Sequence, residues 1–234
     1  MDDTKYIRKG CKDIWNAFML KGAVYSKNDI PFCPTSAIRL PSRLISYEEA
    51  KTYHNKEYRK GNVEYFEDAF IHFWIDDQKF DGNREGIWNN PKRALEIIRH
   101  FAGIITPDFS TYQDFPEPIK LYNTYRMRAF GYWISSQGIP VINNVRWGTK
   151  ETWRYCWDGI PKYSIVAIGT VASGLRQLEN RLVFQSGIWE MFNVLCPHTI
   201  IIYGSANDSV FDELRAMGVT IKNFPSRKNS LFSK

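Results

Sequence analysis

The sequence lacks most of the marks by which a chain declares its chemistry. Nowhere in its 234 residues is there an apolar run near the roughly 18 residues a spanning helix needs. Met1-Asp-Asp-Thr-Lys5 leads into no apolar signal core, so the expectation is a cytoplasmic chain with no membrane partner. The four cysteines, Cys11, Cys33, Cys156 and Cys196, lie far apart without a C-x-x-C pair, which argues against both a zinc knuckle and a disulfide framework. His54, His72, His100 and His198 are isolated from one another, and His72, inside a strand-like run, reads as a core histidine. No G-x-S-x-G or G-x-x-x-x-G-K-[ST] is present, so serine-hydrolase and P-loop chemistry have no motif to rest on.

What is there is a foldable chain. Apolar residues make up 44% and charged residues 24%, which excludes wholesale disorder and fibrous repeats. The net charge of +6 is uneven: residues 1–60 hold twelve Lys or Arg against seven Asp or Glu, while the remainder is near neutral. A basic third can draw in phosphate backbones or an acidic protein surface, although a solvated lysine-rich face looks the same. Aromatics, at 15%, are frequent enough to fill a core and still leave stacking platforms.

Residues 1–35 combine a helical candidate over 6–20 with a Pro-bearing connector, Asp29-Ile-Pro-Phe-Cys-Pro34, and read as a basic amino-terminal appendage. Residues 36–225 read as a single domain and 226–234 as a basic tail. Ser46 followed by Glu49 marks a helix start with a reciprocal cap. Short β-rich runs then alternate with helical ones: strands near 69–75, 103–106, 139–142, 164–168, 199–203 and 219–222, with a further strand in the region 38–45. Helices are expected at 91–101, 118–137, 150–157, 180–195 and 209–217. This alternation predicts an α/β fold of repeated βα units with a mainly parallel sheet, either barrel-like (an incomplete TIM-type barrel) or open and doubly wound. The lack of a G-x-G-x-x-G after the first strand favours the barrel-like form.

In both forms, loops leaving the carboxyl ends of the strands converge on one face. The residues just past each strand are Asp76 and Asp77, then Asp108 and Ser110, then Asn143, Asn144, Arg146 and Trp147, then Thr170 and Ser173, with Gly204, Ser205, Ser226, Arg227 and Lys228 later. Asp76, Asp77 and Asp108 are candidate catalytic groups or ligands for a divalent cation such as Mg²⁺ or Mn²⁺, around a phosphate ester. Asp, Asn and Ser also begin helices and form turns in any βα loop, which is the plainer account of the same residues. On the helix at 118–137, Asn123, Arg126 and Phe130 share one face and Arg128 another. Guanidinium groups among Tyr, Phe and Trp require an anion or a stacked ring, supplied by Asp108, Asp158 or a ligand.

The run Leu121-Tyr-Asn-Thr-Tyr-Arg-Met-Arg128, then Tyr132-Trp133, Gln137-Gly138, Val141-Ile142 and Trp147, then Trp157-Asp-Gly-Ile-Pro161 and Ser164-Ile-Val-Ala-Ile-Gly-Thr170, with Tyr203-Gly204, resembles the domain-of-unknown-function family 4417 of bacteria, phages and mobile elements. The resemblance runs from Ile30 to Phe224. It carries no established reaction or cofactor, and implies a setting of replication, host takeover or counter-defence in a host cytoplasm. Two functions remain open at this level. One is a binder of a host protein or nucleic acid. The other is a metal-dependent enzyme acting on a nucleotide or nucleic-acid phosphate ester, with Asn123, Arg126, Arg128, Asn144, Trp147, Asp158 and Thr170 as ligand contacts.

Overall fold

The computed structural model describes residues 7, 9–82, 84–171 and 173–226. Among them, seven strands form one sheet: β1 (Leu44–Ser46), β2 (Glu67–His72), β3 (Phe101–Ile105), β4 (Val141–Asn144), β5 (Ile165–Gly169), β6 (Thr199–Tyr203) and β7 (Thr220–Phe224). Seven α-helices accompany them: α1 (Tyr47–Arg59), α2 (Asp77–Asp81), α3 (Pro91–Ile98), α4 (Glu117–Ser136), α5 (Trp153–Cys156), α6 (Leu178–Leu195) and α7 (Ser209–Ala216). Every strand pairs in parallel with the one before it, so spatial order repeats sequence order. A doubly wound sheet must reverse its order at a switch point, and this one never does. The alternative left open by the sequence resolves to the barrel-like form, a parallel sheet curled into a half-barrel.

The two faces of the sheet are buried differently. Alternate strand residues such as Ile71, Ile104, Val141, Val166, Ile168, Ile200 and Ile202 pack against Ala50, Ile97, Phe130, Ile188 and Leu214 of the helices, in two clusters that divide the molecule into halves. The intervening residues, Phe70, Ala102, Ile105, Ile142, Ile165, Ala167 and Ile201, form a third cluster that holds no helical residue and is joined instead by Ala37, Leu40 and Leu44. Helices thus lie on one side of the curl, and residues 37–40 cover the other. This is why the strands read as nearly continuous Ile and Val rather than as an alternation with polar residues.

Local chemistry sets the boundaries. The Ser46 hydroxyl accepts from the Glu49 amide at 3.3 Å, and the Glu49 carboxylate accepts from the Ser46 amide at 3.0 Å, closing the expected cap of α1. Ser46→Ala is expected to lower stability by about 1 kcal/mol in urea unfolding, with little change in the slope of the transition. Helix α3 ends at Ile98 rather than at 101, because Phe101 opens β3 opposite Glu67 and the His100 ring is held by the Tyr65 carbonyl at 2.9 Å. Strand β1 is shorter than the expected 38–45: Ile38 is exposed, and Pro41 has no amide to give to a ladder. Helix α2, short and polar, has no apolar period to announce it.

Of the helix expected at 6–20, the described residues show only a 3-10 turn, Ala17–Leu20. The Asp13 carboxylate binds the amides of Trp15 and Ala17 in a local turn, and Asn16 adopts a left-handed conformation that breaks any helix running into it. This segment is stitched to α4: the hydroxyls of Tyr122, Tyr125 and Tyr132 donate to the carbonyls of Ile14, Trp15 and Lys21. Met19, Ile30 and Cys33 are buried in the main clusters. Residues 1–6 of the expected appendage and 227–234 of the basic tail lie outside the described residues, as do Arg227 and Lys228.

Candidate functional site

The loops leaving β2, β3, β4 and β5 surround a cleft of about 740 Å³ at the carboxyl ends of the strands, closed on one side by α6. Its floor is aromatic. Trp74, two residues past β2, stacks on Tyr203 of β6 with centroids 5.2 Å apart and rings 9° from parallel. His72 lies 4.2 Å from the same tyrosine ring. The Trp74 indole crosses the sheet over Gly169, where a Cβ would come within 2.5 Å of it, so only glycine fits there.

A polar chain runs from this floor to the wall. The Trp74 indole N–H donates to Asn144 Oδ1 at 3.2 Å, Asn144 Nδ2 donates to Asp108 at 2.7 Å, and Arg146 Nη1 donates to the other Asp108 oxygen at 2.5 Å. Arg146 Nε donates to Thr111 Oγ1, and its guanidinium lies 5.5 Å from the centre of the Tyr112 ring. Thr106 accepts from the Asn144 amide and fixes the end of β4. Burial pushes the Asp108 carboxyl above its ordinary range; Arg146 and Asn144 oppose this, and the nearby Asp77 charge adds to it. Asp77 accepts from the amide and hydroxyl of Ser110, at 3.1 and 2.8 Å. Asp76 faces solvent, 3.9 Å from Lys79.

The cleft therefore gathers Asp76, Asp77, Asp108, Ser110, Asn144, Arg146, Trp147 and Ser173 from the residues named by sequence. Trp147 packs against Phe184 and Trp157, and its indole rests where any Cβ on Gly187 of α6 would stand. Thr170 lies between the lining residues Gly169 and Val171, and its hydroxyl donates to the Ser205 carbonyl at 2.9 Å. The other four residues expected as ligand contacts are occupied by protein groups elsewhere. Asn123 donates to the Ser110 carbonyl and supports that loop from behind. Arg126 is paired with Asp81 at 2.6 Å and lies 3.8 Å over the Phe109 ring. Arg128, completely buried, donates to the carbonyls of Asn144, Cys156 and Asp158. The Asp158 carboxylate accepts from Ser26 and Asn28.

Trp74, Tyr112 and Tyr203 escaped sequence reasoning, although the alternation within 69–75 puts Trp74 on the same face as Phe70 and His72, opposite the helices. The three carboxylates do not form a metal cradle. Among the described residues no three His, Cys, Asp or Glu side chains are gathered so as to hold an ion. The Asp77 and Asp108 oxygens each accept one hydrogen bond, from Ser110, Asn144 or Arg146, while Asp76 faces solvent. Three carboxylates against one guanidinium give the lining a formal balance of −2, opposite in sign to the chain as a whole. No described helix is long and apolar enough to cross a membrane.

Residues 24–225 match a family model described as "Domain of unknown function (DUF4417)". The Gene 1 protein of Mycobacterium phage D29 is 34% identical over 135 residues, 57% of this chain and 48% of the phage protein. The Gene 1 protein of Mycobacterium phage L5 is 34% identical over 134 residues, 57% of this chain and 56% of its own length. The chain spans about half the length of these curated relatives. No solved structure matches it.

Proposed function

The chain belongs to the DUF4417 family, and from that premise and the charge of its cleft we propose that it is a binding protein, taking a lysine ammonium or arginine guanidinium of a partner protein into the cleft at the carboxyl ends of β2 to β5. The observation that carries this reading is the lining itself. Asp76, Asp77 and Asp108 outnumber Arg146, which is already paired, and the walls are the rings of Trp74, Tyr112 and Trp147. Carboxylates and aromatic faces both favour a cation. A phosphate backbone brought to the same place would meet net negative charge, which favours a protein over a nucleic acid as the partner. The phage origin of the relatives supports a host protein as the target and the host cytoplasm as the setting.

N-acetyl-argininamide, N-acetyl-lysinamide, AMP and MgCl₂ titrated into the protein in a calorimeter test the reading. Either amino-acid amide is expected to give saturable heat at millimolar concentration and AMP none. Asp76→Asn is expected to weaken argininamide about three- to five-fold, the scale of one solvent-exposed charge contact. Binding of AMP in preference to the amides, or displacement of argininamide by Mg²⁺, would overturn it.

A further inference from the structure

A second cavity, of about 970 Å³, lies between α4 and the segment that precedes β1, and shares no lining residue with the cleft. Its walls carry the rings of Trp15, Tyr25, Tyr122 and Tyr125, while Ala17, Gly22 and Ala23 among them project nothing larger than a methyl group and leave room for a further ring. Two of the tyrosines are held by their hydroxyls: Tyr122 donates to the Ile14 carbonyl and Tyr125 to the Trp15 carbonyl, and their rings lie 12° from parallel with centres 6.2 Å apart. Two charged residues complete the lining, Lys21 and Asp29. The Lys21 carbonyl accepts from the Tyr132 hydroxyl at 2.7 Å, which ties that residue to α4. Asp29 lies in a hairpin where the Ser26 amide donates to the Ile30 carbonyl and the Phe32 amide to the Val24 carbonyl; its φ of 56° is a left-handed conformation that Asp tolerates better than most residues. Asn28 anchors the hairpin through the Arg154 carbonyl and the Asp158 carboxylate, each at 2.8 Å. Arg126 and Arg146 are each paired with an aspartate, but among the described residues neither the Lys21 ammonium nor the Asp29 carboxylate has an ion pair or a side-chain hydrogen bond.

We propose that this cavity is a binding site for a free aromatic amino acid, its ring among Trp15, Tyr122 and Tyr125, its carboxylate facing Lys21 and its ammonium facing Asp29. The walls select a ring, because aromatic faces gain most from a planar group that stacks or meets them edge-on. The two unpaired charges select a zwitterion. A ligand with only a carboxylate would meet Lys21 and be repelled by Asp29, and one with only an ammonium would meet the reverse. An uncharged ring would use the walls and leave both charged side chains as they are in the empty cavity. The ring of an internal residue of a peptide carries neither charge, and a terminal residue carries one of the two, so charge complementarity points to the free amino acid. The volume lies within the range of small-molecule pockets and exceeds what an indole fills.

Four probes test this by calorimetry on the full chain: L-tryptophan, L-tryptophanamide, which lacks the carboxylate, N-acetyl-L-tryptophan, which lacks the ammonium, and L-serine, which lacks the ring. Excess N-acetyl-argininamide in the cell keeps the acidic cleft out of the measurement. Tryptophan is expected to give saturable heat, each blocked form to bind about three- to five-fold more weakly, the scale of one solvent-exposed charge contact, and serine to give none. In Lys21→Gln the difference between tryptophan and its amide is expected to vanish while the penalty for N-acetylation remains; in Asp29→Asn the reverse is expected. Both side chains are exposed, asparagine keeps the left-handed conformation at position 29, and circular dichroism checks that each variant is folded. Absence of heat with tryptophan, equal affinity for the three indole probes, or variants that rank the probes as the natural chain does would overturn the proposal. Neither variant alters the cleft, so the cation-binding reading stands or falls separately.

Discussion

Arg128→Met is expected to lower the unfolding free energy by about 3 kcal/mol. The guanidinium sits in the interior with three backbone carbonyls as its partners: Asn144 at the end of β4 (3.0 Å), Cys156 at the end of α5 (3.3 Å) and Asp158 beyond it (3.1 Å). Removing the fork strands three buried acceptors, each costing about 1–3 kcal/mol, and this is partly offset because the guanidinium no longer has to be kept from water. That second cost is visible in the group itself, whose pKa burial lowers to about 10. Arg128→Lys is expected to fall between the two, since one ammonium cannot span three carbonyls held apart in a fixed fork. Urea unfolding of the three proteins measures the effect; a methionine variant within 1 kcal/mol of the natural chain would show that the carbonyls find other donors.

Acid is expected to weaken the fold through His72. Burial alone pulls its imidazole down to about 3, and its Nδ1 accepts from the Trp74 amide at 3.3 Å, so the ring is neutral when folded. The unfolded chain has the ordinary value of about 6.5 and takes up a proton between 6.5 and 3 that the folded chain refuses. The contribution is therefore fully present above pH 6.5 and lost as the pH falls toward 3. Between pH 7 and pH 4 the loss amounts to roughly 3 kcal/mol. His72→Asn offers the amide an acceptor that does not titrate and should remove this component. The carboxyls of Asp81 and Asp108, held above their ordinary range by burial, act in the opposite direction, so the comparison must be between natural chain and variant at each pH. Parallel stability profiles for the two proteins would refute the assignment.

How far these features were legible depended on the kind of interaction. Strands β2 to β7 and the larger helices were readable because each is a run of one period bounded by Gly, Pro or a capping residue; the cap of Ser46 with Glu49 is realised. The rim was readable because parallel strands deliver their carboxyl ends to one side, and Asp76, Asp77, Asp108, Asn144 and Trp147 did arrive there. What pattern could not supply is which polar groups the protein consumes itself. Arg126 and Arg128 lie two residues apart on α4; one meets a carboxylate and an aromatic ring, the other three carbonyls, and only the fold brings Asp81, Asn144 and Asp158 to them. The aromatic floor was hidden for a similar reason, since Trp74 and Tyr203 are 129 positions apart and meet only because β2 and β6 curve around a shared concave side.

The run of neighbours from β1 to β7 bears on how the chain can be made. Each strand finds its pairing partner already synthesised, so the sheet can lengthen in step with translation, one βα unit at a time, without holding a gap open for a strand still inside the ribosome. An order with a later strand inserted among earlier ones would leave hydrophobic edges waiting. Here the edge that moves is the growing one, and among the described residues the last strand is β7, whose residues are all at least partly exposed and which carries Lys222 and Asn223 opposite Ile201 and Ile202 of β6.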